Sequence, residues 1–380
     1  MGMTSCSVIK LHKRLDDYMD QFILSPDLRI LLAFLLAALI TGMIIPSLVN
    51  LAKKKGLVAH QTERTSHIGS IPNLGGVALF SAIMLASWIF WDVKMIGSFQ
   101  FKVVSILVIF LLGLLDDMIK ISPFKKFGGE ILATLVLIML GGVRITNLHG
   151  YFGISDISYL SSICLTFFVF ILIINAFNLI DGIDGLAAGI GIVCCATYGI
   201  WFWLAGYTEH TVMAAATLGS LLVFFYFNVF SKKHKIFMGD TGSLVTGVVI
   251  AIFTVQFNQQ TIDQSKAFAI YAAPAVSIAI LIIPLFDTLR VFTLRILAGQ
   301  SPLYGDKRHL HHMLLDLKLT HLQASLIMVC MNVFIIAIAF IYQSYKPQTL
   351  VFMGVIAAVI LSYTFIISIL RKRRLNINVH

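Results

Sequence analysis

The sequence predicts an all-α polytopic membrane protein of about 11 transmembrane helices. Composition is the first ground: 58% of the 380 residues are hydrophobic and only 12% are charged, about half the charged share of a soluble domain. The second is a mean hydropathy of +0.92. The third is a succession of apolar runs long enough to cross a hydrocarbon core of about 30 Å.

Residues 1–27 form a polar N-terminal tail, with Lys10, Lys13 and Arg14 set against Asp16, Asp17 and Asp20. No cleavable leader pattern is visible there, so the run beginning near Leu28 is expected to act as an uncleaved start signal. Apolar runs follow near 28–50, 73–91, 100–115, 127–143, 159–177, 185–205, 211–229, 241–257, 267–288, 323–342 and 349–370. Pro46, Pro274 and Pro284 are expected to mark kinks or ends, and the short third run needs tilt or thinned lipid. Residues 28–370 read as one membrane domain, and 371–380 as a basic tail.

An odd number of crossings puts the termini on opposite sides. With the C-terminal Arg371 to Arg374 inside, the inside loops also hold Lys53 to Lys55, Arg64, Lys120, Lys125, Lys126, Lys232, Lys233, Lys235, Arg290, Arg295, Lys307, Arg308 and Lys318. The opposite side keeps Lys94, Lys102, Arg144, Lys266 and Lys346, an asymmetry of 19 to 5 that leaves aside Lys10, Lys13, Arg14 and Arg29 in and just after the N-terminal tail, which dissents by lying outside. Positive loops face the cytoplasm, so this distribution accounts for the net charge of +10 without nucleic acid. The same topology gathers Asp116, Asp117, Asp181, Asp184, Asp240, Asp287 and Asp306 at the cytoplasmic face, where an active-site cleft is expected. Cys6, Cys164, Cys194, Cys195 and Cys330 have no metal-ligand spacing and read as small apolar side chains.

Four motifs carry chemistry. The stretch from Asn175 to Gly189 contains Asn178, Asp181 and Asp184 where two apolar runs meet. Carboxylates there need a cation, a donor or water to offset desolvation. Asp116 and Asp117 are adjacent at a helix end, with Lys120, Lys125 and Lys126 close behind. Two such acids stay ionised only beside a cation or basic group, which suits Mg²⁺, proton transfer or nucleophilic attack. Phe237 to Ser243 opens a helix. Asp240 there is read either as a helix cap or as a metal ligand beside a phosphate-binding N-terminus. Finally, Arg308-His309-Leu310-His311-His312 lies in the longest inside loop. Lacking a zinc pattern, it is read as a contact for diphosphate and sugar oxygens, with a headgroup-attracted basic patch as the plain alternative.

Taken in order, Asn73-Leu74-Gly75-Gly76, Leu115-Asp116-Asp117, Asn178 to Leu186, Phe237 to Ser243, Asp287 and Asp306 to His312 resemble the polyprenyl-phosphate N-acetylhexosamine-1-phosphate transferases over residues 30 to 345. The resemblance implies Mg²⁺-dependent transfer (Mn²⁺ as a substitute) of a sugar 1-phosphate from a UDP-N-acetylhexosamine to polyprenyl phosphate. UMP is released and lipid-linked cell-envelope glycan synthesis begins, in the cytoplasmic membrane. It implies Asp116 and Asp117 as catalytic residues and Asp240, Asn178 and Asp181 as metal ligands. Phe237 and Asp184 would bind the nucleotide base, and Lys126, Arg308, His309, His311 and His312 the diphosphate and sugar. The spacing of the histidines resembles the N-acetylglucosamine branch, with the muramoyl-pentapeptide branch as the alternative. Val58-Ala59-His60-Gln61 and Asn73 after Pro72 depart from the family pattern, which leaves those positions without an implied role. An ion-coupled transporter is the competing class, and it predicts acids near the bilayer midplane and on both sides. Oligomeric state, a homodimer included, is not legible.

Overall fold

The computed structural model describes residues 24–55, 71–92, 96–297, 299 and 309–344. The eleventh expected run near 349–370, the basic tail, Arg308 and most of the N-terminal tail lie outside them. The described chain forms twelve α-helices: α1 (Pro26–Lys55), α2 (Gly75–Phe90), α3 (Ile96–Ile119), α4 (Pro123–Leu135), α5 (Tyr159–Ile180), α6 (Leu186–Leu204), α7 (Thr208–Val229), α8 (Gly239–Gln260), α9 (Ala273–Ile280), α10 (Ile282–Leu297), α11 (Leu310–Asp316) and α12 (His321–Tyr342). Among the described residues the only β-pairing is an isolated bridge between Asn147 and Asp156.

Six helices, α1, α5, α6, α7, α8 and α12, are long and apolar enough to cross a membrane, and a seventh crossing arises if α9 and α10 count together. This is a multi-pass membrane protein. Eleven crossings are not reached among the described residues. The run at 267–288 is not one helix: residues 267–272 are turns, and α9 and α10 meet at a 77° bend. Pro274 sits in the first turn of α9 and Pro284 in that of α10, as their missing N–H and fixed φ favour. Pro46 lies inside an unbroken α1. The third run is longer than its apolar core suggested, 24 helical residues. The fourth ends in a π-turn, Val136–Leu140.

α8 is the axis of the molecule. Every residue from Thr241 to Val255 is buried, and α2, α3, α5, α6 and α9 pack around it. α2 and α3 reach its first turn through glycine: a Cβ on Gly76 would lie 2.2 Å from the Gly242 nitrogen, and one on Gly113 would lie 2.5 Å from the Thr241 Cα. Small residues allow such close backbone approach between membrane helices. α1, by contrast, exposes Leu31, Leu35, Leu39 and Met43 along one face, as a lipid-facing helix does. At the far end, Arg29 bonds Glu209 at 2.7 Å and the Phe90 carbonyl at 2.7 Å, fastening α1, α2 and α7 together.

A carboxylate and ammonium cluster at the start of α8

The helices run up and down, so the ends of α3, α5 and α7 and the starts of α2, α4, α6, α8 and α12 meet at one end of the bundle. The segment before α8 is held there by backbone bonds: Phe237 donates to Pro72, and Gly75 and Gly76 donate to Phe237 and Met238. Asp240 then opens α8.

Asp117 ends beneath this opening. One oxygen accepts the backbone N–H of Asp240 at 2.9 Å, and the other accepts the N–H and hydroxyl of Thr241 at 2.9 and 2.5 Å. A carboxylate at a helix N-terminus satisfies orphan donors and complements the helix dipole. Its neighbour Asp116 points elsewhere: it accepts the Ile121 N–H and, at 3.0 Å, the Lys126 ammonium.

Lys126, in the first turn of α4, is the centre of the cluster. Its ammonium also donates to Asp240 at 2.5 Å and to the Asn178 carbonyl at 3.3 Å. Burial works against its charge, but Asp240 and Asp116 outweigh burial and hold its pKa above the ordinary lysine range. The Asn178 amide closes the group by donating to Asp240 at 2.5 Å and Ser243 at 2.9 Å.

Asp181 follows at the C-cap of α5. Half-buried, it has no hydrogen-bond or ion-pair partner among the described residues. Burial, reinforced by Asp240, Asp117 and Asp184, drives its pKa well above the ordinary carboxylate value. Among the described residues no three His, Cys, Asp or Glu side chains converge enough to hold a metal by themselves. The oxygens of Asp240, Asp181 and Asn178 nonetheless fit Mg²⁺, which commonly takes one or two carboxylates and completes its shell with water and phosphate. An unpartnered carboxylate among three others is relieved either by a proton or by a cation.

Asp184, three residues on, is buried and satisfied. Lys235 reaches it at 2.6 Å and His321 at 3.6 Å. Burial would raise its pKa, but hydrogen bonds from His321 and Lys235 prevail and lower it.

The histidines arrive through Asp287, which is fully buried in α10. Its oxygens meet the His309 ring at 3.0 Å and the Leu310 N–H at 2.9 Å. This anchors α11 and lays His311 over Gly182, where a Cβ would come within 2.2 Å of the ring Nε2. His311 is buried, and among the described residues neither ring nitrogen has a partner. Burial and the adjacent His312 pull its pKa down to about 3.

The structure therefore brings Asp116, Asp117, Lys126, Asn178, Asp181, Asp184, Phe237, Asp240, His309, His311 and His312 to one end of the bundle. Sequence reasoning passed over Lys235 and His321, and also Glu130, buried at 1% exposure and bonded to Asn175 at 2.6 Å. A lone acid inside an apolar run was the available signal for Glu130.

Residues 99–258 match the family model described as glycosyl transferase family 4. A decaprenyl-phosphate N-acetylglucosaminephosphotransferase of Mycolicibacterium smegmatis is 32% identical over 318 residues, 77% of either chain. Its counterpart in Mycobacterium tuberculosis is 31% identical over 77% of either chain. An undecaprenyl-phosphate alpha-N-acetylglucosaminyl 1-phosphate transferase of Escherichia coli is 30% identical over 72% of this chain and 73% of its own.

Proposed function

Because the chain belongs to glycosyl transferase family 4 and is thereby a phosphotransferase, we propose that it transfers N-acetylglucosamine 1-phosphate from UDP-N-acetylglucosamine to polyprenyl phosphate. An oxygen of the lipid phosphate attacks the sugar-bearing phosphorus, the bond to the uridine-bearing phosphate breaks, and UMP leaves. The names of the relatives support N-acetylglucosamine as the sugar. The excess of basic residues on the site's side supports a cytoplasmic placement.

The observation that carries the reading is the Lys126 ammonium enclosed by Asp116, Asn178 and Asp240, with Asp181, unpartnered among the described residues, within the field of Asp240. Joining two anionic phosphates requires charge compensation and in-line alignment above all. Asp240, Asp181 and Asn178 would hold Mg²⁺, which when bound supplies charge compensation to the transferring phosphate. Lys126 supplies a second positive charge, held by Asp116. Asp117 acts by position, since both its oxygens are engaged by α8. A lipid phosphate is already anionic near neutral pH, so direct attack needs no general base. Phe237 and Asp184 take the base, and the histidine group faces the diphosphate and sugar.

Purified protein given polyprenyl phosphate, a panel of UDP-sugars and Mg²⁺ should release UMP most rapidly with UDP-N-acetylglucosamine and stop when EDTA is added. Folded protein that releases no UMP with any sugar would sink the proposal.

A further inference from the structure

Lys235 has no role in the chemistry above, yet it is built into the site. It lies two residues before Phe237 on the segment that α2 holds by backbone bonds. Side chains on this segment alternate: Ile236 and Met238 are buried at 0% and 1% exposure, whereas Lys235 and Phe237 are partly open. Lys235 and Phe237 thus share the outward side.

The Lys235 ammonium ends 2.6 Å from an Asp184 oxygen. The backbone that carries Asp184 is tied on three sides. Its N–H meets the His321 ring at 3.4 Å, its carbonyl accepts the Ser325 hydroxyl at 2.8 Å, and the next N–H, of Gly185, donates to Asn228 at 2.7 Å. Asn228 in turn donates to the Ile236 carbonyl at 2.9 Å, beside Lys235 itself. The two charged groups are therefore held side by side, one accepting and one donating, next to an aromatic ring. A pyrimidine with an N–H between two carbonyls presents the complementary edge: its N–H suits the carboxylate and a neighbouring carbonyl suits the ammonium.

We propose that Lys235 is a specificity-determining residue of the nucleotide site, donating to a base carbonyl beside the N–H that Asp184 accepts. This rests on the reading above that Asp184 and Phe237 receive the base of a uridine nucleotide. Lys235 keeps Asp184 ionised and in place without a nucleotide, and shares it with the base when one binds. A neutral side chain at 235 would leave the carboxylate with His321 alone and the carbonyl without its donor.

Calorimetric binding of UDP, 2-thio-UDP and 4-thio-UDP to the detergent-purified full chain tests this, since sulfur is a weaker acceptor than oxygen. The parent should lose affinity for one of the two thio analogues, and Lys235→Met should weaken UDP roughly 10- to 100-fold, the range of a hydrogen bond to a charged group. The thio penalty should vanish in that variant, as a pairwise coupling requires. Lys235→Arg keeps a cation on Asp184 but moves the donors, so it folds where Met fails to, and it should also shrink the penalty. UDP binding unchanged in both variants, or weakened with the full thio penalty retained, overturns the assignment. A parent that binds no UDP and releases no UMP overturns the uridine reading with it.

Discussion

Asp117 holds Thr241 by both its N–H and its hydroxyl, at 2.9 and 2.5 Å, so the end of α3 is clamped to the first turn of the central helix. The same carboxylate takes the N–H of Asp240. Asp117→Ala should therefore lower both turnover and melting temperature, the latter by the equivalent of about 1–2 kcal/mol, as loss of a helix cap does. Asp240→Ala should abolish UMP release while the protein stays folded and monodisperse in detergent. Equal melting temperatures for the parent and Asp117→Ala would refute the clamp.

Gly182 and Gly128 make a paired test. An alanine at 182 drives its Cβ into the buried His311 ring, while at 128 nothing lies within 4 Å. Gly182→Ala should cost about 1–3 kcal/mol through overpacking and reduce UMP release at least roughly tenfold. Gly128→Ala, inside α4, should gain about 0.5–1 kcal/mol from helix propensity. Adding His311→Ala to Gly182→Ala should restore stability but not activity. Indifference of the melting temperature to Gly182→Ala would show that the ring does not sit there.

The low pKa of His311, about 3, has a definite sign in stability. Unfolded, the ring takes up a proton below about 6.5; folded, burial keeps it neutral. The unfolded state thus binds more protons between these values, and stability falls as pH drops through that window, at up to about 1.4 kcal/mol per pH unit. Melting curves from pH 7.5 to 5 should fall less steeply for His311→Asn than for the parent. Parallel curves would count against a buried neutral ring.

Glu130 holds Asn175 at 2.6 Å one helical turn from Lys126. Glu130→Gln keeps an oxygen for the Asn175 amide and should retain most activity, whereas Glu130→Ala leaves that amide only its bond to the Ile171 carbonyl, at a cost of about 1–2 kcal/mol. Melting temperatures and UMP release should rank the parent, Gln and Ala in that order. A Gln variant as impaired as Ala would mean that the charge, not the bond, is what matters.

Much of the site was legible because its acids fall at helix ends. Once apolar runs and loop charges set the crossings, Asp116, Asp181 and Asp240 had to share an end, whatever the details of packing. The bend between α9 and α10 was not legible. Apolarity reports a preference for lipid or core, not direction, and Pro284 marks a boundary without fixing an angle. The partnerships of Asp184 were hidden for another reason: Lys235 read as one more basic loop residue, and His321 as the polar edge of a membrane run. Only tertiary folding places them across 51 and 137 residues of chain from their carboxylate. Asp117 was legible as an important acid, but its choice of partners, backbone rather than solvent, depends on how closely Gly113 lets α3 approach α8.

The position of Lys126 also bears on how the protein comes into being. A chain threading into a bilayer must bring Asp116 and Asp240 together before any substrate arrives, and an ammonium on the same chain supplies the counter-charge at that moment. Lys126 lies within hydrogen-bond reach of both carboxylates, so the chain itself offsets the repulsion that bringing them together creates.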